Sequence, residues 1–108
     1  MATARTDGAG VGSPGWTFLS NHGHVLVCIA GDPDLRLRDI AQRVGITERA
    51  VFSIVNDLES SGYVTRIPVG RRNRYELNAD RPLRHPVESD HTVAQLLSVL
   101  VDTPEVAD

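Results

Sequence analysis

Apolar side chains recur three and four positions apart in several parts of the chain, a spacing typical of helices with one buried face. This spacing predicts a first helix over residues 17–30, which Gly31 ends with Pro33 shortly beyond it. Residues 25–30 are apolar on nearly every side, so we expect two partners to cover them. The alternating residues 35–37 predict a short strand.

Two closely spaced helices follow. Ile40, Ala41 and Val44 predict a short second helix that ends at Gly45. Thr47 can cap a third helix, because its hydroxyl can accept from the free amides of the first turn. The third helix carries one apolar stripe, formed by Val51, Ile54, Val55 and Leu58.

The second half of the chain predicts a hairpin and a last helix. Gly62 provides a left-handed stop for the third helix. Two alternating runs flank residues 70–72 and predict an antiparallel hairpin. Residues 79–91 contain prolines and charges and predict a linker. A last helix is expected from the apolar spacing of Val93, Leu96, Leu97 and Leu100.

The segment that joins these elements is LRLRDIAQRVGITERAVFSIVNDLESSGYVTR, residues 35–66. It resembles the winged helix-turn-helix domain of bacterial transcription regulators of the MarR and ArsR types. Ile40, Ala41 and Val44 match the supporting helix, Gly45 matches the turn, and Thr47 matches the cap. The recognition helix is matched over residues 47–61, and the wing over residues 63–77. The resemblance implies a DNA-binding regulator.

We therefore expect a mainly α-helical protein with a small β-hairpin. The winged helix-turn-helix would occupy residues 15–78, with flanking helices at both ends. The remaining segments are expected to be a disordered tail at 1–14, a linker at 79–91, a packing or dimerisation helix at 92–102 and a tail at 103–108.

Length and charge narrow the functional classes. A chain of 108 residues is expected to form one domain, and its net charge of −3 counts against a general nucleic-acid coat. The charge is unevenly distributed, because residues 36–77 hold eight arginines and five acidic residues. The wing, residues 63–77, holds four arginines and one glutamate. A local basic patch is enough for phosphate contacts, so the segment charges favour DNA. All basic residues are arginine, which coding bias or selection for phosphate contacts could explain.

The outer face of the recognition helix supplies the expected base contacts. Arg49 would reach a guanine or a phosphate, and Ser53 and Asn56 would reach base edges or the backbone. Phe52 would meet a thymine methyl or pack beneath the wing. At the wing, Arg66 and Arg74 are expected to face each other across the hairpin, a like-charge crowding that favours a phosphate partner. The expected DNA-binding residues are Arg38, Thr47, Arg49, Phe52, Ser53, Asn56, Arg66, Arg71, Arg72 and Arg74.

The expected partners are double-stranded DNA and a second copy, which would form a homodimeric repressor because operators commonly mirror a two-fold protein. The rival hypothesis is a protein-interaction module, favoured by the acidic Glu48, Asp57 and Glu59 on the recognition helix. A third hypothesis is a sensor with a ligand pocket between the first and last helices, whose effector is unknown. The expected dimer residues, which could instead pack within one chain, are Val25, Leu26, Ile29, Val93, Leu96, Leu97 and Leu100.

No motif predicts catalysis, a cofactor or a metal. The lone Cys28 is expected to act as a small buried apolar residue. His22 and His24 do not share a helix face. A looser group near the last helix is interpreted as capping and solvated linker residues; it comprises His85, Glu88, Asp90 and His91. With no membrane-spanning run or secretory signal, we expect a cytoplasmic protein.

Overall fold

The computed structural model describes residues 15–101, so the tails expected at 1–14 and 103–108 lie outside the described residues. Three helices precede a two-stranded antiparallel hairpin and a short further helix. This order confirms the predicted fold class, a mainly α-helical winged helix-turn-helix with a small hairpin. The elements are α1 (Asn21–Gly31), α2 (Leu37–Val44), α3 (Glu48–Ser60), β1 (Val64–Val69), β2 (Arg72–Leu77) and α4 (Val93–Ser98).

The first helix begins later than the apolar pattern predicts. Ser20 is the N-cap of α1, and its hydroxyl accepts from the backbone N–H of Gly23 at 3.3 Å. The predicted start at residue 17 is therefore wrong, because the capping side chain and not the apolar run sets the boundary. The end at Gly31 is as predicted.

The helix-turn-helix forms as predicted from its capping residues. Gly45 ends α2 with φ of 86°, a left-handed conformation that glycine adopts without a Cβ clash. The Thr47 hydroxyl accepts from the backbone N–H of Ala50 at 3.0 Å and so begins α3. These two caps fix α2 and α3 as separate helices across a short turn.

No strand forms at residues 35–37, so that prediction is wrong. The carboxylate of Asp39 accepts from the backbone N–H of Arg36 at 3.3 Å, which allows α2 to begin at Leu37. The preceding loop still lies beside the wing, because the N–H of Tyr75 donates to the carbonyl of Pro33 at 3.2 Å.

The hairpin pairs Val64 with Leu77 at one end and Val69 with Arg72 at the other. Arg72 therefore belongs to β2, and the turn is shorter than expected. Arg66 lies opposite Tyr75, and Arg74 lies opposite Ile67. Since neighbouring pairs in a sheet point to opposite faces, Arg66 and Arg74 do not face each other and that expectation is wrong.

The segment after the hairpin packs back onto the domain. Residues 79–91, expected as a linker, contain no helix or strand, but the Tyr63 hydroxyl donates to the carbonyl of Pro82 at 2.6 Å. The N–H of Leu83 donates to the carbonyl of His91 at 2.9 Å. The helix that follows is shorter than the predicted 92–102, because the N–H groups of Val99 and Leu100 close tighter turns at its end.

One apolar cluster fills the space between the helices and the hairpin. It contains the predicted stripe of α3, with Val51 fully buried and Val55 1% exposed. No helix of the described part of the chain is long and apolar enough to cross a membrane. Five of the seven residues expected at a dimer surface are buried in this cluster, as the alternative of packing within one chain describes: Val25, Leu26, Ile29, Val93 and Leu97.

Candidate nucleic-acid interface

The N-terminal half of α3 presents an exposed face. Arg49 and Ser53 are exposed, and within residues 15–101 their side chains make no hydrogen bond or ion pair. Phe52 is 49% exposed, so it lies at the surface and not in the core beneath the wing. Thr47 is exposed, with its hydroxyl engaged in the helix cap. This face can therefore offer a guanidinium, a hydroxyl and an aromatic edge to a partner.

The C-terminal half of the same helix is linked to the wing. Nη2 of Arg66 donates to Oδ1 of Asn56 at 2.9 Å and lies 3.0 Å from Oε1 of Glu59. The Arg66 side chain is 26% exposed, and its Nε is buried without a partner among the described residues. The structure thus places Arg66 and Asn56 between α3 and β1, where they hold the helix and the wing together.

The second strand of the wing is bound to the loop between α1 and α2. Nη1 of Arg74 lies 3.0 Å from both carboxylate oxygens of Asp34. The Arg72 guanidinium donates to the backbone carbonyl of Asp34. Oδ1 of Asp32 accepts from the N–H of Asp34 at 3.0 Å and so orders this loop. Two of the expected DNA contacts are therefore engaged within the chain.

Arg71 and Arg38 differ from these strand residues. Arg71 follows Gly70 at the tip of the hairpin, and Arg38 lies in the first turn of α2. Both are exposed, and neither side chain forms a hydrogen bond or ion pair within the described residues. With Arg49, they are the guanidinium groups of the expected set that are free to bind phosphate or a base.

The acidic residues of the recognition helix have partners as well. Oδ2 of Asp57 lies 2.8 Å from Nε2 of His22 on α1. Glu59 pairs with Arg66, as described above. Glu48 lies in the first turn of α3 and is exposed. Asp57 and Glu59 contact groups on neighbouring elements. Their carboxylates should therefore repel a nearby phosphate less strongly than unpaired carboxylates on this helix would.

The residues considered for metal or thiol chemistry have structural contacts. Nδ1 of His24 lies 3.2 Å from Oδ1 of Asn21, and Nδ1 of His91 lies 3.2 Å from Oε1 of Gln95. Among residues 15–101, no group of three or more His, Cys, Asp or Glu side chains could hold a metal ion. Burial raises the pKa of the Cys28 thiol, although the nearby Arg43 guanidinium partly offsets the rise.

A groove with a volume of about 540 Å³ is lined by none of Arg49, Phe52 and Ser53. The first turn of α1, the end of α3, the segment after the hairpin and α4 form its walls. Its lining is mainly apolar, and it also includes Arg84 and Glu88. Its position corresponds to the pocket considered between the first and last helices.

Asp34 binds Arg74, a contact that the sequence pattern does not predict. Nothing in the local pattern signals it, because Asp34 and Arg74 are separated by 40 positions in the chain. The aspartate also lies just before residues 36–77, the segment in which arginines outnumber acidic residues. The wing contains three arginines that contact other parts of the chain, Arg66, Arg72 and Arg74. They are therefore less available to bind phosphate than the number of arginines in the wing suggests.

Three helices, a glycine turn and a basic hairpin define a winged helix-turn-helix. Residues 20–65 match the family model described as winged helix-turn-helix DNA-binding. The match extends from the cap of α1 into β1 and supports a DNA-binding domain in this chain; its description names neither the MarR nor the ArsR type. No curated protein matches the sequence significantly.

Proposed function

We propose that the protein is a sequence-specific regulator of transcription that binds double-stranded DNA. The observation that carries this proposal is the exposed N-terminal half of α3, where Arg49 has no partner among the described residues. In helix-turn-helix proteins this part of the second helix enters the major groove. The family match to residues 20–65 supports the same use of the helix.

The base-reading contacts come from three neighbouring side chains. Arg49 can form a fork with O6 and N7 of a guanine, the pairing that its planar guanidinium fits. Ser53 can bond to a base edge or a phosphate, and the exposed edge of Phe52 can contact a thymine methyl. Asn56 contributes less, since its amide oxygen already accepts from Arg66.

Phosphate contacts come from outside this helix. Arg71 reaches the backbone or the minor groove from the tip of the wing, and Arg38 reaches a phosphate from the start of α2. These contacts fix the orientation of the domain and give the salt-dependent part of the affinity. They add to binding on any sequence, whereas Arg49 discriminates between sequences.

The protein acts as a homodimer and represses by occupying its operator. A single recognition helix contacts few bases, and a two-fold protein doubles the number by binding two half-sites. We assign it to the MarR-like or ArsR-like regulators of bacteria on the resemblance of residues 35–66, and we propose that it acts in the cytoplasm. The rival role as a protein-interaction module loses support, because Asp57 and Glu59 are engaged within the chain.

The test compares Arg49→Ala with the unaltered protein on two DNAs. Fragments of the source genome selected by binding supply the operator, and a random duplex is the second DNA. We expect Arg49→Ala to lose about 10- to 100-fold in operator affinity and much less on random duplex, as for other arginine–guanine contacts.

Arg43→Ala is the matched control, because it removes the same charge from the helix-turn-helix at a position near Cys28 of α1. It should change both affinities little. Equal losses on both DNAs for Arg49→Ala would reassign Arg49 to a phosphate. If the unaltered protein fails to retard random duplex at low salt, the protein-interaction role replaces DNA binding.

A further inference from the structure

Large exposed apolar side chains are concentrated in the two flanks of the winged segment. Phe18 is 94% exposed and Trp16 is 64% exposed, and their rings meet edge to face with centroids 5.1 Å apart. Exposed apolar residues of this kind mark interaction surfaces when they are grouped. The C-terminal flank adds Val87, Val99 and Leu100.

The groove of about 540 Å³ lies directly beside Phe18, which forms part of its rim. It is open to solvent, and its volume leaves room for an aromatic side chain. One face of the protein therefore combines a projecting ring with a depression. The apolar lining includes Leu19, Leu26, Leu58, Leu83, Val93 and Leu96.

Charges of both signs line the same groove. Arg84 and Glu88 belong to the segment that packs back after the hairpin, and neither forms an ion pair within the described residues. Nη1 of Arg84 lies 3.4 Å from the Ser61 hydroxyl, a long contact. Asp57, the other acidic residue of the lining, is already held by His22. Arg84 and Glu88 are thus available to form ion pairs with a partner.

We infer that this groove is where a second copy of the chain docks, with Phe18 of each copy in the groove of the other. A two-fold interface uses the same patch twice, so the patch must be complementary to itself. The shapes are complementary, because the projecting Phe18 of one copy can enter the groove of the other. Arg84 and Glu88 are complementary in charge, because each can meet the opposite residue of the partner. The inference rests on the proposed function as a dimeric DNA-binding regulator.

The available apolar area suits a second copy better than a small ligand. A ligand in the groove would contact Phe18 at the rim and leave the Trp16 ring, which does not line the groove, in water. A buried Phe or Trp covers ~150–250 Å². The two rings can thus supply up to roughly half of the ~800 Å² per partner of a stable interface, and the groove lining adds to that area.

Docking at this groove would connect dimerisation to DNA reading. Asp57, Leu58 and Ser61 line the groove and lie at the end of the recognition helix or next to it. A partner seated there would fix the distance between the two copies of α3. Operators of helix-turn-helix dimers commonly place their half-sites ~34 Å apart.

Sedimentation equilibrium of the full chain without DNA, over a wide concentration range, tests the inference. We expect the unaltered protein to dimerise and Phe18→Ser to raise the dimer dissociation constant at least about tenfold, as for a central aromatic contact. The control is Val69→Ser, which removes an exposed apolar side chain from the wing and should leave the constant unchanged. Circular dichroism establishes that both variants are folded.

A charge exchange provides the second arm. Arg84→Glu and Glu88→Arg should each weaken the dimer, and the double variant should restore it because the pair across the two-fold axis is reversed. A monomeric wild-type chain, or a Phe18→Ser variant that dimerises as tightly, would overturn the inference. Failure of the double variant to recover would overturn the contact between Arg84 and Glu88. DNA binding is judged separately, by retardation of random duplex with the Phe18→Ser monomer.

Discussion

The recognition helix and the wing both carry arginine toward the expected DNA surface, but their arginines are in different chemical situations. The recognition helix has one, Arg49, which is exposed and has no partner among the described residues. Of the four in the wing, three bind other parts of the chain, and Arg71 at the tip is the exception. The wing thus has more arginines than the recognition helix, but a smaller fraction of them is available to contact DNA.

This difference divides the arginines of one hairpin into three that contact other parts of the chain and one, Arg71, that has no partner among the described residues. Arg66, Arg72 and Arg74 set the position of the hairpin relative to α3 and to the loop before α2. Arg71 and Arg49 are left to contact an external partner. Substitution of Arg71 should therefore change DNA affinity without changing stability, whereas substitution of Arg66 should change both.

The largest effect is expected for Arg66→Met, which keeps much of the side-chain volume but removes the contacts to Asn56 and Glu59. We expect the free energy of unfolding to fall by about 1.5–3 kcal/mol, the range for a lost hydrogen bond to a charged group. Operator affinity should fall as well, because the wing is no longer fixed against α3. Urea unfolding and DNA titration measure the two effects, and a variant with native stability would remove the structural role assigned to Arg66.

The next effect is expected for Arg71→Ala at the wing tip. Affinity should fall several-fold on operator and random duplex alike, and the magnitude of the salt slope of binding should decrease by about one. The unfolding midpoint should stay where it is, in contrast to Arg66→Met. Titrations at several salt concentrations measure the slope, and an unchanged slope would place the wing tip away from phosphate.

The smallest effect, with the opposite sign, is expected for Asp34→Asn. The neutral amide releases Arg74, so random-duplex affinity should rise about threefold and the salt slope should steepen, since one more cation can meet phosphate. Because the pair is partly exposed, stability should fall by no more than about 1 kcal/mol. Asp80→Asn, which makes the same charge change at an exposed position after the hairpin, is the control. Equal gains for both variants would show a general charge effect and not release of Arg74.

Sequence patterns predicted the elements whose boundaries depend on nearby residues. Gly45, Thr47 and Gly62 act within one helical turn of their own position, so α2, α3 and the entry to the wing followed from their spacing. The predicted start of α1 lies four residues too early, because the apolar run extends beyond the Ser20 cap that sets the boundary.

The engagement of the wing arginines could not be predicted from the sequence. Arg66 meets Asn56 across 10 positions, and Arg74 meets Asp34 across 40. Such pairs form because the hairpin packs against α3 and the α1–α2 loop. Local sequence patterns do not predict this long-range packing. Likewise, an apolar stripe has the same spacing whether it meets its own chain or a second copy, as Val25 and Val93 illustrate.

The hydrogen bond from the Tyr63 hydroxyl to the carbonyl of Pro82 has a consequence for the operator. It ties the flank that carries Arg84 and Glu88 to the start of the hairpin. A dimer formed through that flank would therefore hold its two winged helix-turn-helix domains at a fixed separation and orientation. DNA turns by roughly 34–36° for each added base pair, given 10–10.5 base pairs per turn. One extra pair between half-sites would rotate one of them out of reach, and the genomic sites of this protein would share a single spacing.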